Sequence, residues 1–396
     1  MEKYDIAIIG GGIMGSSIAY FLARSGRAGS IVVIDPDPTY QAASTPQGAG
    51  GVRQLFSLPE NIWMSQYSVE FFSNFHNTMS LEEHPALIEF VRQGYIFVAS
   101  PKGARQLEAN YHLQAAEGVQ VELLSPEELQ DRFPSLGTED IAMASYSPTD
   151  GWIDPTSALQ GFRRKATNLG VTYTNSRVLS LELKNQQVKT ALLNNGSEPQ
   201  ADVFVNAAGA WAAEVAAMAG VELPIVPYCR VQHFWLCQAE IEPLPLVKDE
   251  SGMFFRPEGP GYVGGRPSWE IEPGFEYALQ EDKYNSYFGD YFEHVVWPLL
   301  VTRLPKFDLI REKRKWLGHY AQNTLDGNMI LGPAAPVVPN FYMACGFSGH
   351  GFMHSPAVGL ALSELILDGR YSTMDLSKMS YQRVLDQQAY KEMGII

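Results

Sequence analysis

The residues best suited to chemistry stand near the start of the chain. Gly10-Gly11-Gly12-Ile13-Met14-Gly15 fits the pattern G-x-G-x-x-G, and Asp35 follows twenty residues after Gly15. Gly10 permits a tight turn, Gly12 lets the backbone approach a pyrophosphate, and Gly15 lets a helix pack close on a strand. The free N–H groups at a helix start favour phosphate, and a carboxylate at Asp35 can accept both hydroxyls of a ribose. This is the chemistry of a dinucleotide site. The pattern does not choose between a flavin and a nicotinamide dinucleotide, and without a ligand it is a Gly-rich turn. The small residues Ser44 to Gly51 make either a loop that lets a cofactor lie against the backbone or an ordinary surface loop.

Those residues need elements to hold them. Tyr4 to Ile9 reads as a buried strand, Gly12 to Ala23 as a helix and Ile31 to Ile34 as a second strand. That strand–turn–helix–strand context is what the fingerprint requires. The aromatic series Trp63, Tyr67, Phe71, Phe72 and Phe75 marks a helix over 61–76, most simply a core-facing one. Ser125-Pro126-Glu127-Glu128 is a capping box, and Asp154-Pro155 opens another helix. Strands follow at 171–174, 178–184, 188–193 and 201–206. From 226 to 315 prolines, aromatics and short strands predict a mainly antiparallel domain, with an amphipathic helix over Glu281 to Glu293. Residues 352–368 predict a closing helix.

Composition sets limits. At about 100–200 residues per domain, 396 residues allow two to four domains. A net charge of −15 argues against a broad basic face for nucleic acid. Cys229, Cys237 and Cys345 form no CxxC motif, and neither they nor the histidines have the spacing of a metal set. Residues 6–23 are uncharged, but their glycines and serines divide them into strand and helix rather than a membrane span. The expectation is a soluble, cytoplasmic chain, with peripheral contact to an inner membrane left open.

Taken in order, the motifs resemble the D-amino-acid oxidase/monomeric sarcosine oxidase superfamily of FAD-dependent amine oxidoreductases. The matching pieces are Gly10–Gly15, Asp35, Ala43-Ser44-Thr45 with Gly50-Gly51, Gly151-Trp152-Ile153-Asp154-Pro155, Asn206-Ala207-Ala208-Gly209-Ala210-Trp211 and Gly346-Phe347-Ser348-Gly349-His350-Gly351. They cover nearly the whole chain. A closer likeness, to a branch that serves respiratory-complex assembly, is carried by the stretch Gly50-Gly51 through Phe56 to Asn61, by Gly264-Gly265-Arg266 and by Val295 to Pro298. With no targeting segment before the first strand, the chain looks like a bacterial relative.

The resemblance implies an α/β chain, α+β overall. A Rossmann-type FAD-binding domain (1–85, 145–225 and 316–396) interleaves with a mainly antiparallel β substrate domain (86–144 and 226–315). It implies FAD contacts from Gly10, Gly12, Ile13, Met14, Gly15 and Asp35, and from Ser44 and Thr45 at the pyrophosphate. Gly50, Gly51 and Val52 follow, with Val178 at the adenine and Ala208, Gly209 and Trp211 beside the ribityl chain. Gly346, Ser348, Gly349, His350 and Gly351 would lie at the flavin N1/O2 edge. Gly318 matches a cysteine that holds flavin covalently in some relatives, so non-covalent FAD is expected. Met353 replaces a lysine that contacts flavin and substrate in sarcosine oxidases.

The implied reaction is hydride transfer from the carbon beside nitrogen in an amino acid or N-substituted amine. The acceptor of the electrons is oxygen, a quinone or an electron-transfer protein. Arg53 either meets a substrate carboxylate, as its fork geometry favours, or forms a surface ion pair. Arg256 and Arg266 are weaker candidates and read more readily as structural ion pairs. His233, His319, Tyr320 and His350 are candidate pocket groups, although His233 on an apolar strand also reads as a core histidine. The rival reading is a FAD-bearing assembly or scaffold protein with a respiratory-chain partner and little amine oxidation.

Overall fold

The apolar run Tyr4–Ile9 lacks alternation, as a strand covered on both faces should. In the computed structural model, which describes residues 2–276 and 280–394, it is the central strand Lys3–Ile9, buried from Ile6 onward. Residues 1, 277–279 and 395–396, which fall within the expected domain segments, lie outside the described residues. Ile31–Asp35 and Gln200–Asn206 pair in parallel on its two sides. Thr172–Asn175 and Val338–Cys345 extend the sheet in parallel, and Ile330–Ala334 closes one edge antiparallel. The hairpin of Val178–Lys184 and Gln187–Leu193 joins beside Gln200.

Helices Ile13–Arg24, Pro155–Asn168 and Gly351–Asp368 share one core with this sheet, and Pro59–Ser73 packs on the last of them. The aromatics expected on a helix build that core. Phe71 stacks on Phe162 with ring centres 5.6 Å apart, and Phe75 and Tyr20 meet Phe162 edge-on. The helix breaks at Asn74 and resumes as Phe75–Met79. The capping box forms as read, Glu128 N–H donating to Ser125 Oγ and Ser125 N–H to the Glu128 carboxylate.

The second sheet runs in the order Ile310–Asn323, Ile225–Cys237, Gly261–Gly265, Phe254–Glu258, Leu246–Asp249, Tyr95–Ala99, Met143–Ser147 and Glu122–Leu124. Its neighbours are antiparallel except Leu246–Asp249 with Tyr95–Ala99, which are parallel. The boundaries expected at 145 and 316 fall inside strands of this sheet. Met143–Ser147 pairs with Tyr95–Ala99, and Ile310–Asn323 pairs along Ile225–Cys237. Pairing, which composition does not reveal, sets these edges.

The helix expected over 281–293 runs Glu281–Phe288 and is followed by a wide turn, Phe292–Val296, and the helix Trp297–Arg303. Phe288, Tyr291 and Phe292 join the second core, with Trp235 and Phe307. Among the described residues no helix is long and apolar enough to cross a membrane.

Candidate functional site

A cavity of about 440 Å³ lies between the two sheets and borders both. One end is made by the first strand–turn–helix unit. Gly10 has φ +104°, and a Cβ there would lie 2.4 Å from Ala207 O. A Cβ on Gly15 would lie 1.9 Å from Gly10 O, so helix and turn meet without a side chain between them. Gly12 differs, since a Cβ there would meet only Thr45 Oγ1, at 3.9 Å. The helix Ile13–Arg24 has no side-chain cap. Its start therefore keeps donors for a ligand, with Ile13 N–H reaching Thr45 Oγ1 at 3.4 Å. Asp35 accepts Gly11 N–H at 2.7 Å and Asp37 N–H at 2.9 Å. Burial raises its carboxyl above the ordinary range, opposed by those bonds.

The far end is assembled from segments distant in sequence. The Gly346–Gly351 turn is pinned to the strand Ile310–Asn323 by Ser348 N–H donating to Ala321 O and Asn323 N–H to Ser348 Oγ, each 3.0 Å. Ser348 and Gly349 have φ +48° and +97°, and Gly349 lies against the Tyr320 ring. The loop at 44–51 is tied to the second sheet. Ser44 Oγ donates to His319 O at 2.6 Å, and Gln232 Nε2 and Trp316 Nε1 both donate to Gln47 O.

Of the residues singled out in the sequence, most line this cavity. They are Gly10, Gly12, Ile13, Met14, Asp35, Ser44, Thr45, Gly50, Gly51, Arg53, Val178, Ala208, Gly209, Trp211, Gly318, His319, Tyr320, Ser348, Gly349, Gly351 and Met353. Gly15, Val52, Gly346, His233 and His350 do not. Gly15 and Gly346 serve close packing and a turn, and Val52 is buried in a short pairing with Gly151.

His233 is a core histidine. It is fully buried, 2.5 Å from Glu312 through Nδ1 and packed on Phe292. His350 is likewise walled off from the cavity. Its Nε2 must donate to Gly327 O at 3.3 Å, because a carbonyl only accepts. Its Nδ1 lies 3.3 Å from His354 Nδ1, and His354 Nε2 lies 3.0 Å from Ser65 Oγ. Burial pushes His350 down to about 3 and holds His354 well below the ordinary value, so both rings are neutral.

Arg53 is 3% exposed, so the surface ion pair is excluded. Its guanidinium donates to Leu55 O at 3.1 Å and lies over the Phe56 and Phe97 rings. The next residue, Gln54, donates from N and Nε2 to Asp150, a carboxylate with no solvent exposure. Burial raises Asp150 to about 6. Arg256 is buried, donates to Ala49 O and pairs with Glu258, while Arg266 pairs with Glu270. Both are the structural ion pairs the sequence favoured.

Sequence reasoning missed Tyr95, Arg230, Gln232 and Lys248, all on the lining. A polar residue at alternate positions of an apolar strand was the available signal.

The charge is divided along the cavity. Asp35, Asp37 and Glu214, the last paired with Arg177, lie at the turn end, whereas Arg53, Arg230 and Lys248 lie at the other, where no Asp or Glu lines it among the described residues. The buried atoms Gln232 Oε1, His319 Nε2 and Arg230 Nε and Nη2 have no hydrogen-bond partner among the described residues. Burial lowers His319, keeping its ring neutral. An open cradle at Gly12, an acid placed for a ribose and unpartnered polar groups farther along suit an extended dinucleotide such as FAD.

Comparison with known proteins agrees with this geometry. Residues 5–365 match the family model described as DAO, FAD dependent oxidoreductase. The chain is 38% identical to FAD-dependent oxidoreductase domain-containing protein 1 of Xenopus laevis, over all of this chain and 85% of that protein. It is 28% identical to human mitochondrial dimethylglycine dehydrogenase, over 93% of this chain and 43% of that longer protein. Among solved structures it resembles L-proline dehydrogenase from P. horikoshii. The TM-score is 0.79 and the identity 27%, over 98% of this chain and all of that one.

Proposed function

We propose that this chain, which belongs to the DAO family of FAD-dependent oxidoreductases, oxidises the carbon–nitrogen bond of an amino acid or N-substituted amine. The observation that carries this reading is the cationic end of the cavity, where Arg53 is buried beside aromatic rings and no carboxylate lines the wall among the described residues. A buried guanidinium fork there is suited to orienting a substrate carboxylate. The names of two relatives, dimethylglycine dehydrogenase and L-proline dehydrogenase, specify amines that carry a carboxylate.

FAD, when bound, would supply the redox chemistry, with flavin N5 as the acceptor of a hydride from the carbon beside nitrogen. The chain's part is position and exclusion of water. Gly12, Ser44 and Thr45 would hold the pyrophosphate and Asp35 the ribose. Val178 would border the adenine, with Ala208, Gly209 and Trp211 beside the ribityl chain. Backbone N–H groups of the Ser348–Gly351 turn would face the N1/O2 edge, where they favour negative charge. The cofactor would be held non-covalently, since Gly318 stands on the lining where relatives that attach flavin through a thioether carry a cysteine, and among the described residues no cysteine lines the cavity. The substrate nitrogen enters unprotonated, and water converts the resulting imine to a carbonyl and an amine. The acceptor of the electrons would be oxygen, a quinone or an electron-transfer protein.

The test is anaerobic mixing of the FAD-loaded protein with a panel of amino acids and N-methyl amines, following flavin absorbance and carbonyl product together. Bleaching matched one-to-one by carbonyl is the expected result. Flavin that none of the panel reduces would refute amine oxidation and favour the scaffold reading.

A further inference from the structure

Lys248 is placed where a second anion would bind. Along Leu246–Asp249, side chains alternate between faces. Leu246 and Lys248 border the cavity, while Val247 is buried in the core of the second sheet with Ile96 and Val98. Asp249 lies away from the cavity, bonded to Ser251 and 3.8 Å from Arg303. Lys248 is opposite Phe97 in the parallel pairing, and the Phe97 ring lies under the Arg53 guanidinium, 4.9 Å from it. The two cations therefore flank one ring on one wall. Among the described residues the Lys248 ammonium makes no hydrogen bond or ion pair.

We propose that Lys248 binds a second carboxylate of the substrate, so that the preferred substrates are amines bearing two carboxylates, such as an acidic amino acid or an N-carboxyalkyl amino acid. The substrate half of this rests on the amine oxidation proposed above. One carboxylate meets Arg53 and the other Lys248. A monocarboxylate leaves the ammonium facing Leu246 and Phe254, where an unpaired charge is costly.

The surrounding groups support the same assignment. Burial, with the Arg53 charge adding to it, pushes Lys248 down to about 7, and Asp249 opposes them. Tyr95 and Tyr320 on the lining are raised by burial and stay neutral hydroxyls, and His350 is a neutral ring. Among the described residues Asp249 is the one negative charge acting on Lys248, and it is engaged on the far face. A second carboxylate binds the ammonium form. Affinity for dicarboxylates therefore falls as pH rises above about 7, and binding slightly above that pH takes up a proton.

The experiment uses the FAD-loaded protein and two non-oxidisable probes, succinate and butyrate, titrated by perturbation of the flavin spectrum. Succinate should bind about tenfold tighter or more, the effect of one hydrogen bond to a charged group. Lys248→Met should erase the difference and Lys248→Arg keep most of it, with melting curves confirming that both fold. Iminodiacetate should show a lower KM than N-ethylglycine in the wild type only. Equal binding of succinate and butyrate, or a preference that survives Lys248→Met, overturns the anion site. Equal KM values overturn the substrate class and leave amine oxidation standing. If no amine reduces the flavin, amine oxidation and the substrate class fail together, and the succinate comparison still decides the anion site.

Discussion

Replacing Gly12 by alanine separates cofactor binding from folding. Gly12 has φ −59° and ψ −174°, a conformation open to any L residue. A Cβ there would meet only Thr45 Oγ1, at 3.9 Å. The apo fold should tolerate the change, and restricting the unfolded chain should stabilise it by about 0.4–1 kcal/mol. The new methyl group would point into the space where a pyrophosphate must approach the backbone. Losing one charge-assisted N–H bond costs about 1.5–3 kcal/mol, or roughly ten- to 150-fold in affinity. Quenching of FAD fluorescence on titration gives the affinity, and thermal melting of the apo protein gives the stability. Gly15→Ala is the control. Its Cβ would lie 1.9 Å from Gly10 O, so it should lower the melting temperature of the apo protein itself. Wild-type FAD affinity in Gly12→Ala would refute the cradle, as would apo destabilisation equal to that of Gly15→Ala.

Asp150 predicts a pH dependence of stability. Its native pKa of about 6 lies above the ordinary carboxylate value of 3.8, so the native state holds this proton more tightly than the unfolded chain. The contribution is present at pH 4 and lost as pH rises through about 6, a change of about 3 kcal/mol. The stability difference between wild type and Asp150→Asn, from urea unfolding across this range, should shift by that amount; a constant difference would contradict it. Arg53→Met should raise KM for carboxylate-bearing substrates at least about thirtyfold, the lower end for breaking a buried charge pair, while FAD titration stays unchanged. An unchanged KM would remove Arg53 from substrate binding. Phe71→Ala, which empties the stack on Phe162, should cost about 3–5 kcal/mol in denaturant unfolding, and a loss under 1 kcal/mol would contradict that packing.

The nucleotide end was legible because its requirements are local. A turn glycine, an open glycine, a packing glycine and an acid at the end of the next strand lie within one strand–helix–strand unit, and their spacing carries the geometry. The aromatic helix was legible for the same reason. The cationic end depends on cross-strand register. Tyr95 and Lys248 meet the cavity through a parallel pairing between segments about 150 positions apart, and only that pairing places Lys248 beside Phe97 and Arg53. Local sequence cannot encode such a partner. His350 shows the converse error. Its motif placed it correctly in the turn, but the ring points to Gly327 O and His354, and only Phe347, Ser348, Gly349 and Gly351 of that turn reach the cavity. Asp150 was overlooked beside the Gly151–Pro155 motif, since nothing local shows that its carboxylate faces Gln54.

The central claim is that this cavity takes a hydride from the carbon beside a substrate nitrogen. Its most direct test is the rate of anaerobic flavin bleaching, by stopped flow, with the best substrate of the panel unlabelled and deuterated at that carbon. The account predicts slower bleaching with the deuterated substrate. Equal rates, or no bleaching with either, would contradict it.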